Sequence, residues 1–368
     1  MKVKMLTGLI LIDAQLSALN NAGIDPTQRE RNKMLVKKIR VRGNEYYPYA
    51  SGQAFKRWWR DTILEKFGWI PSPITREEKA AYTQGDPIVY EEDDVFGYMV
   101  TLAKGEEGKG LVYRRVAPLK STPLISVFPQ VISSDFGIFA RGETAAQPIP
   151  YEQEAYSTVL KGTFSVMLNQ VGAFQLGRGK DLPSPTEADE LRKKKISKDR
   201  IEELERISAK LLEEAKTRGA SITSDSITLP ENERKKRIAE TVTALGELTG
   251  GAKISDYLTD LTPKFIIAAV LSVANHIFMD VVKASDGSTT VDSDILGEVV
   301  HDYHDRLLSP VFIGLRKGFF EDKEYDRMSA MQELPLKTSQ GADKLDVKFG
   351  TPKQTIEAIA DFAKKMEL

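Results

Sequence analysis

Residues 29–67 read RERNKMLVKKIRVRGNEYYPYASGQAFKRWWRDTILEKF, and the rest of the chain is read outward from them. Between Arg29 and Asp61 there are ten Lys or Arg against three acids, in a chain whose net charge is −1. Tyr46, Tyr47 and Tyr49, then Trp58 and Trp59, sit among those cations. Cations neutralise phosphates and flat rings stack on bases, so the combination points to a nucleic acid.

The second half of the stretch predicts a helix with a marked start. Pro48 holds the chain extended, and Ser51 offers an N-cap hydroxyl to a backbone N–H two or three residues on. Gly52 would let another backbone approach. Phe55, Trp59 and Ile63 fall at i, i+4, i+8 and form the buried stripe. Lys56, Arg57 and Arg60 share the neighbouring face, with Gln53 one turn earlier. A helix N-terminus followed by three cations suits a phosphate, although most such charge runs are only solvated faces. The strand before it, Lys37 to Val41, tips the balance. Lys38, Arg40 and Arg42 alternate with Ile39 and Val41, giving one basic face and one apolar face.

Bulk properties set the bounds. The chain has 368 residues, 41% hydrophobic and 29% charged, which fits a soluble globular protein with a substantial core. It has no cysteine, so disulfides, thiolate metal sites and cysteine nucleophiles are excluded, and a cytoplasmic location is expected. The apolar runs are far shorter than the ~20 residues needed to cross a bilayer, and no signal-peptide pattern is present, so no membrane partner is expected. Near-zero net charge means that any nucleic-acid site must arise from local segregation of charge.

Residues 2–19 predict a long apolar strand, central in a sheet, followed by the polar turn Asn20-Asn21-Ala22-Gly23. Residues 68–115 are rich in Gly and Pro, with nine acids against two Lys between Glu77 and Glu107. They predict an insertion whose acids serve solubility or meet a neighbouring copy. Residues 116–170 predict strands around the excursion Ala140 to Tyr151, a projecting hairpin containing Arg141. Residues 183–248 predict helices with stripes Ile201, Leu204, Ile207, Leu211 and Ile238, Val242, Leu245, Leu248. The Ser221–Pro230 linker is expected to be flexible, and Arg234–Arg237 to lie on a solvated face. FIIAAVLSV after Pro263 predicts a buried strand; VFIGLRKGFF closes the core, and a short helix runs from Gln354.

The chemistry of known catalytic motifs is missing. Gly177-Arg178-Gly179-Lys180 lacks the spacing and the Ser/Thr of a P-loop, and there is no G-x-S-x-G or H-E-x-x-H. His301 and His304 lie one turn apart beside Asp302 and Asp305, without a third defined ligand, so neither a metal nor another cofactor is expected. His276 reads as structural. No helix-turn-helix pattern supports a DNA-binding regulator.

SGQAFKRWWR after a basic strand, DFGIFARGE from Asp135, and GGAKISDY before the Pro263 strand resemble the RAMP superfamily of CRISPR proteins. The resemblance is closest to the DevR-type backbone subunit of type I Cascade complexes (the Cas-seven group, type I-B). It implies an α+β fold: a ferredoxin-like palm related to the RNA-recognition motif, with inserted fingers, a thumb hairpin and a helical web. Residues 1–67 would be the first half of the palm, 68–115 fingers, and 116–179 palm strands with a thumb near 140–151. Residues 180–249 would be a charged helical insertion and 250–368 the second palm half with C-terminal helices. The implied partners are CRISPR RNA, the target DNA strand paired to it, further copies of the chain and other Cascade subunits. The implied RNA contacts are Asn20, Asn21, Arg40, Arg42, Ser51, Gln53, Lys56, Arg57, Arg60, Arg141 and Lys253. No catalytic residue is expected. The alternative is a superfamily ribonuclease acting through Asp25, because related type III subunits cleave RNA with an aspartate in the comparable loop. Asp25-Pro26 making a turn is the preferred reading.

Overall fold

The computed structural model describes residues 3–27, 32–77, 80–102, 110–139, 149–193, 197–285, 288–331, 335–338, 341–344 and 346–368. The chain opens on β1 (Met5–Ser17), then forms a ribbon of β2 (Lys38–Arg42) and β3 (Glu45–Ala50) before α1 (Gly52–Phe67). After the short α2 (Glu91–Phe96) come β4 (Leu124–Ser126), β5 (Ser133–Phe139) and the 19-residue β6 (Ile149–Met167). Helices α3 (Lys198–Thr217) and α4 (Glu231–Thr243) follow, then β7 (Phe265–Leu271), β8 (Val311–Leu315), β9 (Val347–Gly350) and α5 (Pro352–Lys365). The architecture is a mixed α+β fold on one large mixed sheet, ordered β9-β8-β7-β1-β6-β4-β3-β2. Only β8–β9 is parallel along that path.

β1 is the middle strand because its sequence is apolar on both faces, as a strand covered on both sides must be. Leu11 pairs with Lys161 of β6 on one edge and with Phe265 of β7 on the other. Leu6, Ile10 and Ile12 point into a core shared with α1, α4 and α5, whereas Leu9 and Leu11 join the core on the opposite face. The residues from Phe265 to Leu271 are buried throughout, as the sequence predicts. Both predicted helical stripes also pack inward, Ile207 partly. Among the described residues no helix is long and apolar enough to cross a membrane.

Four expectations are corrected. Acids Glu92, Asp93 and Asp94 are buried rather than displayed to solvent or a neighbour. Asp94 accepts from the Gly172 amide (2.8 Å) and Arg237 Nη1 (2.8 Å), and pairs with Arg115. Arg234 and Arg237 are therefore not on a solvated face. Arg234 Nε donates to the Val171 carbonyl (2.7 Å), and Arg237 also holds the Pro87 and Ile88 carbonyls (2.7 and 3.0 Å). A backbone that turns away from regular structure leaves such carbonyls needing donors, and guanidinium forks supply them. The Ser221–Pro230 segment is not a free linker. Ser221–Ile222 and Ser226–Thr228 pair with each other, and Ala173–Gln175 joins them, because Ile227 and Leu229 are buried there. Finally, Ile39 and Val41 stay exposed (49% each), because β2 is the last strand of the sheet and no layer covers it.

Removing one member of a buried ion cluster strands the others without solvent. Asp94→Ala is expected to cost about 3–5 kcal/mol, since Arg115 and Arg237 lose their shared carboxylate. Urea unfolding checks it, with a lowered midpoint at unchanged slope.

Candidate nucleic-acid interface

α1 forms where the sequence predicts. Ser51 is the N-cap, in extended conformation (φ −62°, ψ 151°), and its Oγ accepts from the Ala54 amide at 3.3 Å. Phe55, Trp59 and Ile63 are fully buried, each contributing about 1.5–3 kcal/mol by leaving water. Trp59 Nε1 donates to the Thr241 carbonyl of α4 at 2.7 Å, and its ring meets Phe164 edge-on at 5.6 Å. Trp58 is buried as well. The two tryptophans are core residues and not a stacking platform, which corrects the reading of them as rings for bases. Gly52 lies beside the Ser121–Pro123 backbone, and a methyl there would sit 3.4–3.5 Å from it, an ordinary contact that does not itself demand glycine.

The cap sits on a corner at the end of β1. The Ser51 amide donates to Asn20 Oδ1 (3.0 Å), the Lys37 amide to the Asn20 carbonyl (2.8 Å), and the Ala252 amide to the Leu19 carbonyl (2.8 Å). Three separate segments thus end on two consecutive residues: the start of the basic ribbon, the N-terminus of α1, and the Gly250–Lys253 loop. That loop fits only because Gly250 and Gly251 have φ of +144° and +100° and no side chain. A methyl on Gly250 would enter the Trp58 ring, and one on Gly251 would lie 2.8 Å from Leu19 Cδ2. The double glycine is thus a packing requirement. Lys253 follows in the left-handed region (φ 58°) and half pairs with Asp256 (3.3 Å).

The corner therefore joins Asn20 to Ser51 and to the residue before Lys253, whereas Gln53, Lys56, Arg57 and Arg60 follow along α1, Arg60 about 13 Å of helix rise beyond the cap. Gln53 and Arg57 are exposed, while Lys56 is half-buried. Arg57 reaches Asp61 at 3.4 Å, and Arg60 lies 3.5 Å from the buried Glu92 and 3.7 Å from Asp61. Arg60 is thus partly neutralised by protein, a partnership that spacing along α1 alone does not reveal. Burial of Glu92 raises its carboxyl above the usual range, and the Ser72 amide and Arg60 act against that rise. Arg40 and Arg42 lie farther out on β2, with Arg40 Nε on the Gly43 carbonyl (3.2 Å). Arg42 is five residues beyond Lys37, about 16 Å along an extended strand. Lys38 lies 5.0 Å from the Tyr46 ring centre and pairs with Glu154. Asn21, next to the corner, is in the Asn21–Ile24 strand opposite Val36. Arg141 lies outside the described residues. The arms of the predicted hairpin, β5 and the start of β6, do pair in register from Ser133↔Ala155 to Phe139↔Ile149.

Asp25 accepts from both the amide and the hydroxyl of Thr27 (2.9 and 2.7 Å), an Asx turn. Those two hydrogen bonds hold its carboxyl below the ordinary aspartate range. His276 Nδ1 is 3.3 Å from Thr7 Oγ1, and burial lowers its ring pKa. His301 and His304 stack at 5.9 Å, and among the described residues no cluster of three His, Cys, Asp or Glu could hold a metal.

The sequence model of the family described as CRISPR-associated negative auto-regulator DevR/Csa2 matches residues 11–292, a span that holds the corner and all three of its segments. The chain belongs to this DevR/Csa2 family. Two solved chains are similar to the DevR/Csa2 chain, one described as a CRISPR RNA-guided surveillance complex and the other as the same complex, pre-nicking. They are 10% and 11% identical to it, over 98% of its length and 99% and 100% of theirs, each with a TM-score of 0.48. No curated protein matches.

Gly250→Ala is expected to destabilise the protein by about 1–3 kcal/mol, from strain at positive φ and displacement of Trp58. Thermal unfolding monitored by tryptophan fluorescence checks it, because Trp58 is the ring displaced.

Proposed function

We propose that this chain is a non-catalytic, crRNA-binding backbone subunit of a type I CRISPR Cascade effector. Copies of it line the spacer part of the guide and present the bases for pairing with a target DNA strand. Other Cascade subunits complete the particle. The observation that supports this reading is the corner at Leu19 and Asn20, where the start of the basic ribbon, the N-terminus of α1 and the backbone preceding Lys253 meet. Family membership supplies the CRISPR context. Helix N–H groups and cations recognise phosphate and sugar without regard to base, so any spacer sequence is accepted. Sequence discrimination is then left to base pairing.

The palm is read as ferredoxin-like. Its support is the antiparallel order β7-β1-β6-β4, in which α1 connects β1 to β4 and α4 lies between β6 and β7. The paired arms of β5 and β6 support a thumb hairpin near residues 140–151.

The chain is proposed to break no bond. A general base at Asp25 would need a carboxylate with its proton affinity raised, and the two Thr27 donors act in the opposite sense. The assembled complex is expected to leave labelled complementary RNA intact. Cleavage that disappears in Asp25→Ala would establish the ribonuclease reading instead.

Purifying the protein from its own operon is expected to bring a small RNA with repeat-derived ends, identified by sequencing. The triple variant Lys56→Ala, Arg57→Ala, Arg60→Ala is expected to weaken single-stranded RNA binding with the fold intact. Three lost phosphate contacts would flatten the log–log salt slope by about 2, and partial neutralisation of Arg60 makes the loss smaller. Unchanged RNA retention removes this site.

A further inference from the structure

Asn20 was read from the sequence as a contact to RNA, but its side-chain oxygen and its carbonyl are already engaged within the protein. Its side-chain oxygen takes the Ser51 amide and its carbonyl takes the Lys37 amide, while the preceding carbonyl takes the Ala252 amide. Each donor belongs to a different segment carrying candidate phosphate ligands. The Lys37 amide starts the ribbon of Arg40 and Arg42, the Ser51 amide starts α1, and the Ala252 amide precedes Lys253. The corner directly follows β1, which is paired on both edges up to Leu11 and, past a register shift after Ala14, with β6 at Ser17.

We propose that Asn20 is a positioning residue: its side-chain amide sets the N-terminus of α1 relative to the basic ribbon and the Lys253 loop, so that the three bind one continuous phosphate chain. This rests on the RNA-binding reading given above. Of the three hydrogen bonds, only the one to Ser51 is made by a side chain. Without it, the Ser51 amide loses its acceptor at a part-buried point, and the first turn of α1 is tied to the corner by packing alone. RNA then has to order that turn as it binds, and affinity falls although no cation has been removed. Preorganisation, not contact, is what the residue provides.

The test uses the purified full-length chain and a fluorescein-labelled single-stranded RNA of mixed sequence. Without RNA, hydrogen exchange at the Ser51–Ala54 amides is expected to rise about tenfold in Asn20→Ala. It is expected to stay near wild type in Asn20→Asp, which keeps the acceptor. With RNA, Asn20→Ala is expected to weaken binding about five- to tenfold with an unchanged salt slope, as no charge is lost. Combined with the Lys56, Arg57 and Arg60 triple variant, that loss is expected to shrink, because the helix it positions no longer carries the contacts. Unchanged exchange at Ser51–Ala54, or a loss of the same size in both backgrounds, overturns positioning and makes Asn20 a direct contact or a bystander. Failure of the RNA-binding reading looks different: the triple variant keeps its RNA, whatever the exchange measurement gives.

Discussion

The fold depends on β1 being hydrogen-bonded along both edges and buried on both faces. A strand so placed has one permitted register, because a slip of one residue would exchange the side chains of its two cores. Leu6, Ile10 and Ile12 would trade places with Leu9 and Leu11, and the helices of one face would meet the wrong residues. Fixing β1 fixes its end, and the end is where the candidate interface begins. Leu19 and Asn20 follow the strand with their carbonyls and the Asn20 side-chain oxygen presented to three other segments. The candidate interface is therefore hung on a strand paired on both edges and buried on both faces.

Charge is organised by the same packing. A net charge of −1 reads as unpromising for a nucleic-acid protein, yet the formal sum counts acids that the surface never displays. Asp93 and Asp94 are enclosed, and Asp94 is matched by the enclosed Arg115 and Arg237. Desolvation raises the Asp93 carboxyl, against hydrogen bonds from Thr83, Ser72 and Asp86. Glu92 is enclosed too but points at Arg60 from beneath. Glu92, Asp93 and Asp94 thus do two jobs inside the protein: Asp93 and Asp94 close a core, and Glu92 trims one cation of the basic face. The exposed remainder of the basic stretch includes Arg40, Arg42, Gln53 and Arg57.

Much of this was legible in the sequence, where one periodicity ruled. The apolar run of β1, the Phe55, Trp59, Ile63 stripe and the Ser51 cap all follow from local pattern, and each stands where it was expected. The failures share a cause. Arg234 and Arg237 look like surface residues because their partners, the carbonyls of Val171 and Pro87, lie 63 and 150 residues away. Ile39 and Val41 look like half of a covered strand, because alternation reports which faces differ and not whether anything covers them. Trp58 and Trp59 sit among cations in sequence, but the helix turns both rings inward. Local pattern carries no information about such distant partners.

The corner also shows where a sequence can and cannot record a site. Two of its three acceptors are main-chain carbonyls, which any residue would supply, so nothing at Leu19 announces that it anchors the Lys253 loop. The sequence-dependent share is confined to Asn20, Ser51 and the two glycines, the last required by positive φ and by the Trp58 ring. These four short residues set the path of the backbone that carries the candidate cationic side chains. Lys and Arg can be exchanged or moved by a turn with modest loss, since phosphate accepts a charge from many directions. The backbone that aims them has no such latitude, because a hydrogen bond at 3.0 Å fails within a fraction of an ångström. For this surface the strict requirements fall on the small residues behind the charges, and the charges themselves are the tolerant part.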